Sequence, residues 1–516
     1  MNYGCPGRGW VRPAGLGHSA EWNNISRIVR CKARMKRVFS SPILPLVLGA
    51  ALRLLFALRY PAESGDTVLY DELATNWLKR GQYAMDISGQ LTSVHIRMPG
   101  YPAFLAVIYA ITGQTGAGAH RAVLISQVFV ELFNCLAIGA IAAILACLSR
   151  EKANLRRAFL VGLWLAAVCP FTANYVSVIL TEVWAVLFSA LAMLFFVAII
   201  AGASGRSSLG PWSLAGRNYW WSAALSGFAV GLGTLFRPES PLLLAIAFLV
   251  LAVIFLRRGE FRRFLLTSAL MAVSAALPLV PWTIRNAVTL HEFQPLTSQN
   301  VDSPGEFVPK GFMDWERTWL YRVRDCYLVS WKLNSEEIPL RDIPDKAFDT
   351  PEERDRVAAI LETYNDDLTL TPEEDATFAQ LARERTVRHP LRTHLWIPLR
   401  RAVRIWFTPR IELLPVAGHV FPLRAMHQFD PVDQRVTILL FFLNILYLAL
   451  ALLGALRLRL SSAGRAVLAF FFLYILVRTA FLTTLETPEP RYVLVCFPVL
   501  LALAALPFLP RTPSAT

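Results

Sequence analysis

The chain holds 516 residues with a formal net charge of +14, and 55% of them are hydrophobic against 17% charged. Its apolar residues gather into runs longer than a soluble core of this size needs, which excludes a soluble globular domain and reads as an all-α polytopic membrane protein. The positive charge does not point to nucleic acid, because the basic residues are spread over short loops and no basic, aromatic-studded domain collects them.

Residues 1–34 carry glycine and arginine and no apolar run, so they are not a secretory signal. The stretch to residue 40 reads either as a disordered cytoplasmic tail or, up to Arg34, as residues ahead of a start at Met35. A span needs ~20 mostly apolar residues, and candidates fall near 43–60, 121–148, 156–172, 175–201, 220–236, 241–256, 263–284, 436–457, 464–484 and 491–509. That makes a bundle of about ten transmembrane helices, or eleven if 101–112 inserts deeply.

Basic clusters fall on alternate loops: Arg27 to Arg37, Arg150 to Arg157, Arg206 with Arg217, Arg257 to Arg263, and Arg457 to Arg465. Basic residues beside spans are retained on the cytoplasmic side. Both termini are therefore expected in the cytoplasm, in a multi-pass protein of the inner (plasma) membrane. Seven cysteines are scattered without a disulfide framework or a CxxC zinc spacing.

Four parts are expected: the tail 1–40, an N-terminal membrane module 41–284, an outer insertion 285–435, and C-terminal membrane helices with a short tail, 436–516. The first outer loop, 61–120, opens with Ser64-Gly65-Asp66-Thr67. Leu69, Leu73 and Trp77 then recur at a spacing of four, one apolar face of a helix that Gly81 ends. Tyr101 to Thr112 is a second apolar stretch, and both are expected to lie at the membrane interface.

The insertion holds 20 of the chain's 37 acidic residues, between Asp302 and Glu384. Thr350-Pro351-Glu352-Glu353 and Thr371-Pro372-Glu373-Glu374 each carry the capping-box pattern with proline at the first helical position. Leu391 to Thr408 mixes Leu395, Trp396, Leu399, Val403 and Trp406 with Arg400, Arg401 and Arg404, as a helix lying on anionic headgroups would.

The order Asp66-xxx-Tyr70, Leu73-Ala74, Gly81 and Arg97-x-Pro99-Gly100-Tyr101-Pro102 resembles the first outer loop of bacterial glycosyltransferases of the GT-C superfamily, in the group of protein O-mannosyltransferases and lipid A aminoarabinose transferases. Thr181-Glu182, Arg237-Pro238-Glu239, Pro281-Trp282-x-x-Arg285-Asn286 and Glu489-Pro490-Arg491-Tyr492 agree with it at other outer helix ends. The resemblance spans roughly residues 40–509. It implies an integral membrane enzyme that moves a sugar from a polyprenyl-phosphate donor to a lipid, glycan or protein acceptor outside the cytoplasm, with the acid matching Asp66 as catalytic base. Many relatives carry Asp-Glu at that point, whereas here Thr67 follows Asp66 and Asp71-Glu72 comes five residues later. Asp66 is preferred over Asp71 because Asp-xxx-Tyr and the distance to the Arg97 motif fit better.

The chemistry can be argued without the family. A phosphate has a second pKa near ~6 and leaves as an anion, so transfer needs a base for the acceptor hydroxyl and no acid for the leaving group. Glycoside hydrolysis would call for a second, protonated carboxyl. Charge building on the departing phosphate has to be met by preorganised cations, for which Arg97, Arg237, Arg285 and Arg491 are the candidates. Tyr70, Tyr101, Glu182 and Glu239 complete the expected substrate-binding set.

Each has a duller reading. Asp66 is also placed to be a helix N-cap, and the arginines to anchor helix ends in headgroups. Glu182 and Glu239 suit pairing with arginine, and Tyr101 suits an aromatic belt. No metal ligands are assigned, since no tight Asp-x-Asp pair occurs in the first outer loop; a divalent cation remains open, with no other cofactor required. The competing readings are a periplasmic glycan ligase or polymerase using a diphosphate-linked donor, which would not need an acid after the first span, and a lipid or sugar transporter, which would favour repeated halves.

Overall fold

In the computed structural model, helix fills most of each of the ten apolar runs, because in hydrocarbon a backbone must satisfy its own polar groups. The structure describes residues 41–149, 153–204, 219–297, 307–421, 426 and 428–510. The N-terminal tail with Met35, Arg150, Arg206, Arg217 and Asp302, all used in the sequence reading, lie outside them.

Among the described residues six helical stretches are long and apolar enough to cross a bilayer: His120–Ser149, Glu182–Ala203, Phe261–Thr289, Pro431–Leu458, Ser462–Thr483 and Pro490–Phe508. Leu155–Ala167 and Pro170–Ser177 form a seventh as a pair bent by 55°. Pro170 has no N–H to continue the first helix, and Cys169 before it is extended. Three more follow the expected runs but fall short of the ~20 residues a span needs, with 17 residues in Ile43–Arg59 and 16 each in Tyr219–Thr234 and Pro241–Leu256. At 1.5 Å per residue these reach about 24–26 Å, against a hydrocarbon thickness of about 30 Å. The expected run 175–201 is also corrected: residues before Glu182 belong to the bent segment and an irregular link, so Glu182 opens its helix.

Outward faces stay apolar, as a lipid solvent requires: Phe129 and Phe133 are 61% and 63% exposed, and Leu439, Phe442 and Leu446 follow helical spacing on another helix. Inside, Arg53 is fully buried and donates to the carbonyls of Ala166 and Ala167, freed by the break at Pro170, and to Glu131 at 3.2 Å. Gly227 and Gly231 let the Tyr219–Thr234 helix close on Phe261–Ala276; a Cβ at either would lie 2.1–2.2 Å from the carbonyl oxygen of Met271 or Ala275.

The first outer loop differs from its expected form. Helix Gly65–Arg80 ends at Gly81, in the left-handed region at φ 68°, as the sequence suggested. Its Leu73 face, however, packs on an antiparallel hairpin, Ala84–Ile87 with Gln90–Ser93, joined through Ser88 and Gly89 at φ 54° and 80°. The hairpin core of Tyr83, Met85, Val94 and Ile96 occupies the surface assigned to the membrane interface.

The insertion has its own core around Trp315, Trp319, Val357, Tyr364, Phe378 and Leu381. Helices Pro351–Asp367 and Pro372–Arg388 start where the capping patterns lie. Thr371 and Glu374 complete the reciprocal box, whereas Glu353 reaches past Thr350 to the Asp349 N–H at 2.8 Å. In the helix Ile397–Trp406, Leu399 and Val403 stay exposed, but Arg401 is buried, donating to the carbonyls of Leu320 and Thr483. That arginine was expected on headgroups and instead ties the insertion to the end of a membrane helix.

Candidate active site

Helix ends and loops from distant parts of the chain line one cavity of about 990 Å³. Asp66 lies in the first turn of Gly65–Arg80, where the helix dipole favours an anion, and Ser64, not Asp66, is the N-cap. The carboxylate turns instead to Arg97, accepting from Nη2 at 2.6 Å, and lies 3.5 Å from Arg491 Nη2.

Arg97 is held in place by the Pro-Gly that follows it. The Gly100 N–H donates to the Leu235 carbonyl at 2.7 Å, and a Cβ there would sit 2.5 Å from that oxygen. Only glycine lets the Arg97 loop touch the loop that carries Arg237. Tyr70, one turn beyond Asp66, lies beneath Arg97, 5.9 Å from its ring centroid to the guanidinium carbon.

Arg237 binds Glu182, which is buried to 3% exposure, and stands 3.6 Å from Glu239. Arg491 is carried on the short 3-10 segment Pro490–Cys496. It donates to Glu489 at 2.9 Å and stands 3.6 Å from Glu182. Arginines and carboxylates therefore alternate across the floor of the cavity.

Two groups of this network escaped sequence reading. Arg478, 2% exposed inside the helix Ser462–Thr483, donates to the Tyr492 carbonyl at 2.7 Å and to Glu239 at 3.3 Å. An arginine inside an apolar run was the available signal. Glu412 lines the cavity with Oε2 buried and without a hydrogen-bond partner, and nothing in its local sequence marked it.

Burial works against the Asp66 charge, but Arg97 and Arg491 outweigh it and hold the carboxyl below its usual range. Glu239 is lowered in the same way, against its burial, by Arg237 and Arg478. Glu412 is raised by burial, which its neighbour Arg410 only partly offsets. Burial pushes the Tyr70 hydroxyl up to about 12, so it stays neutral.

Not every expected residue comes together here. Asp66, Tyr70, Arg97, Glu182, Arg237, Glu239 and Arg491 line the cavity. Asp71 is absent from its lining; it accepts from Tyr109 and lies 2.7 Å from His120 Nε2. Tyr101 is buried and donates to Gln127 at 2.9 Å. Arg285 lines a separate cavity of about 520 Å³ and donates to the carbonyls of Val94 and Tyr83 at 2.8 and 2.6 Å, bracing the hairpin. Among the described residues no group of three metal-ligating side chains converges. The carboxylates on the cavity floor are interleaved with arginines, a donor set that does not fit a divalent cation, and no step below uses one.

No family model and no curated protein matches the chain. It is similar to several solved structures at low identity. One is the archaeal oligosaccharyltransferase AglB from Archaeoglobus fulgidus in complex with an inhibitory peptide and a dolichol-phosphate, at 15% identity and TM-score 0.44, over 90% of this chain and 50% of that one. The apo form of the Archaeoglobus fulgidus oligosaccharyltransferase gives 14% and 0.46, over 90% and 50%. ArnT from Cupriavidus metallidurans bound to undecaprenyl phosphate gives 13% and 0.39, over 90% and 77%. The chain thus spans about half the length of the oligosaccharyltransferase. With TM-scores below 0.5, these likenesses leave the site's chemistry to be read from the chain's own residues.

Proposed function

We propose that the protein is an integral membrane glycosyltransferase that moves a sugar from a polyprenyl-phosphate donor to an acceptor hydroxyl on the extracytoplasmic face. One observation carries the reading: the Asp66 carboxyl, held between Arg97 and Arg491, on a cavity floored by further arginines. The alternation of basic loops in the sequence supports the assignment of sides.

The acceptor oxygen attacks the anomeric carbon while the bond from that carbon to the phosphate oxygen breaks. The hydroxyl proton passes to Asp66, and the polyprenyl phosphate leaves as an anion. A single displacement of this kind inverts the anomeric centre. Arg491 and Arg97 meet the departing charge, and forked guanidinium contacts suit a phosphate. Glu182 keeps one buried oxygen without a hydrogen-bond partner, an acceptor for a sugar hydroxyl.

Asp66 starts as a weak base because the arginines lower its pKa. An arriving phosphate competes for Arg97 and Arg491, so donor binding frees the carboxylate and raises its basicity. The enzyme is thereby expected to take its proton only once the donor is seated.

Undecaprenyl phosphate added to the purified protein in detergent is expected to raise its thermal midpoint, while undecaprenol, lacking the phosphate, is expected to raise it less. Arg491→Gln and Arg97→Gln should remove the difference. Equal stabilisation by the two lipids in the wild type, or an unchanged difference in both variants, would contradict a phosphate site on these arginines.

A further inference from the structure

The insertion contributes to the cavity through the short helix Val323–Leu328 and the turn Ser330–Lys332. Its tryptophans differ in setting. Trp315 and Trp319 are each 1% exposed in the insertion core, whereas Trp331 is 40% exposed and Tyr327 51%. Both of the latter line the cavity, with ring centroids 4.2 Å apart and planes at 80°.

Their exposure is built in. Cys326, just before Tyr327, and Val329, between the two rings in sequence, are fully buried in the insertion core, and Asp325 is bound by Lys346. The backbone is pinned so that the two rings face open space. Electrostatically Tyr327 belongs to the cavity: burial comes first in holding its hydroxyl above the usual range, followed by the charges of Glu489 and Glu412. A membrane-belt role would put the rings against lipid, yet here they share a cavity with Asp66, Arg491 and Glu412.

A pyranose ring has one face of C–H bonds, weakly positive, and a rim of hydroxyls. The first suits the negative face of an aromatic ring, and the second suits carboxylate acceptors. We propose that Trp331 and Tyr327, with Glu412, form a subsite for a sugar ring: the C–H face stacks on one aromatic ring with the other, nearly perpendicular, against its edge, and its hydroxyls donate to the buried Glu412 oxygen that lacks a partner. The ring is either the donor's sugar or a sugar of the acceptor. The assignment rests on the glycosyltransferase reading above and narrows it to a reaction in which the insertion selects the glycan.

The test is saturation-transfer NMR on the full-length protein in detergent, with the methyl glycosides of glucose, galactose, mannose and N-acetylglucosamine as probes at millimolar concentration. At least one probe should receive saturation through its ring C–H protons in the wild type. Trp331→Ala and Tyr327→Ala should lose the signal, while Trp331→Phe keeps it. Glu412→Gln should weaken binding by about tenfold. Trp396→Ala, an exposed tryptophan outside the cavity lining, should leave it unchanged.

The matching sugar 1-phosphates separate the two sources. Binding about tenfold tighter than the methyl glycoside, with Trp331→Ala still weakening it, assigns the donor ring; equal binding assigns an acceptor ring. The subsite is overturned if no probe receives saturation, or if the signal survives both alanine variants. Its failure leaves the phosphate test on Arg491 standing, and saturation that persists when undecaprenyl phosphate fails to stabilise the protein removes the transferase reading instead.

Discussion

Two regions of this molecule are built from the same residue types and end in different states. In the insertion, Asp349 and Glu353 meet Arg385, Arg388 and Arg392; in the cavity, Asp66, Glu182, Glu239 and Glu489 meet Arg97, Arg237, Arg478 and Arg491. The insertion cluster closes on itself. Arg385 is fully buried and spends its three guanidinium nitrogens on Thr318, Glu353 and the Lys346 carbonyl, while both Glu353 oxygens accept from arginine. The cavity cluster surrounds space, and Glu182 Oε2 and Glu412 Oε2 are left without hydrogen-bond partners. Charge density alone therefore does not distinguish a site from a staple; the unspent lone pairs beside a cavity do.

The comparison can be broken by substitutions on each side. Arg385→Ala leaves the buried Glu353 and the partly buried Asp349 one partner short and is expected to cost about 3 kcal/mol, read as a lower thermal midpoint of the purified protein. Transfer by the fraction still folded at low temperature should be retained. Loss of transfer without loss of stability would put the insertion cluster in the catalytic machinery.

Arg491→Lys retains the charge and loses the fork, so transfer should fall about 10- to 100-fold with little change in midpoint. A large drop in midpoint instead would make the cavity cluster a second staple.

Acid should act on both regions. Against burial, Asp349 is held below its usual range by the Arg392 hydrogen bond and Glu353 by those from the Asp349 N–H, Arg388 and Arg385, as Asp66 is by Arg97 and Arg491. Groups with depressed folded pKa values contribute stability above their unfolded values, about 4, and lose it as pH falls through the folded ones. The midpoint should therefore drop as pH falls below about 4, and less steeply in Arg385→Ala. A flat profile would mean that these carboxyls are not held low. The smallest effect is expected for Thr371→Ala, about 1 kcal/mol for one lost cap, measured by denaturation, with transfer unchanged.

Much of this was legible in the sequence where the signal is local. Thr371 with Glu374 announced a helix start, and Gly81 a helix end, because caps and left-handed turns depend on a few adjacent residues. Asp66 stood out by its position after the first apolar run, and the cavity gathers it with Arg97, Arg237 and Arg491.

Non-local relations were harder to see. Leu69, Leu73 and Trp77 form the expected face, but what covers it is a hairpin whose Ser88-Gly89 turn was the unread cue. Arg285 shares its setting at a helix end with Arg237, yet braces backbone carbonyls 191 and 202 residues away in sequence. The roles of Arg401 and Arg478 were out of reach for the same reason: both stand among apolar residues, but the carbonyls that accept from them come from other segments, which no window along the chain displays.

The central claim is that Asp66 takes the acceptor's proton. Its direct test is transfer of radiolabelled sugar from a panel of polyprenyl-phosphate donors, in membranes containing matched amounts of wild type, Asp66→Asn or Asp71→Asn. With a base removed, Asp66→Asn should lose about 10²- to 10⁴-fold, while Asp71→Asn, outside the cavity lining, transfers like the wild type. Transfer retained by Asp66→Asn, or lost only in Asp71→Asn, would contradict the account.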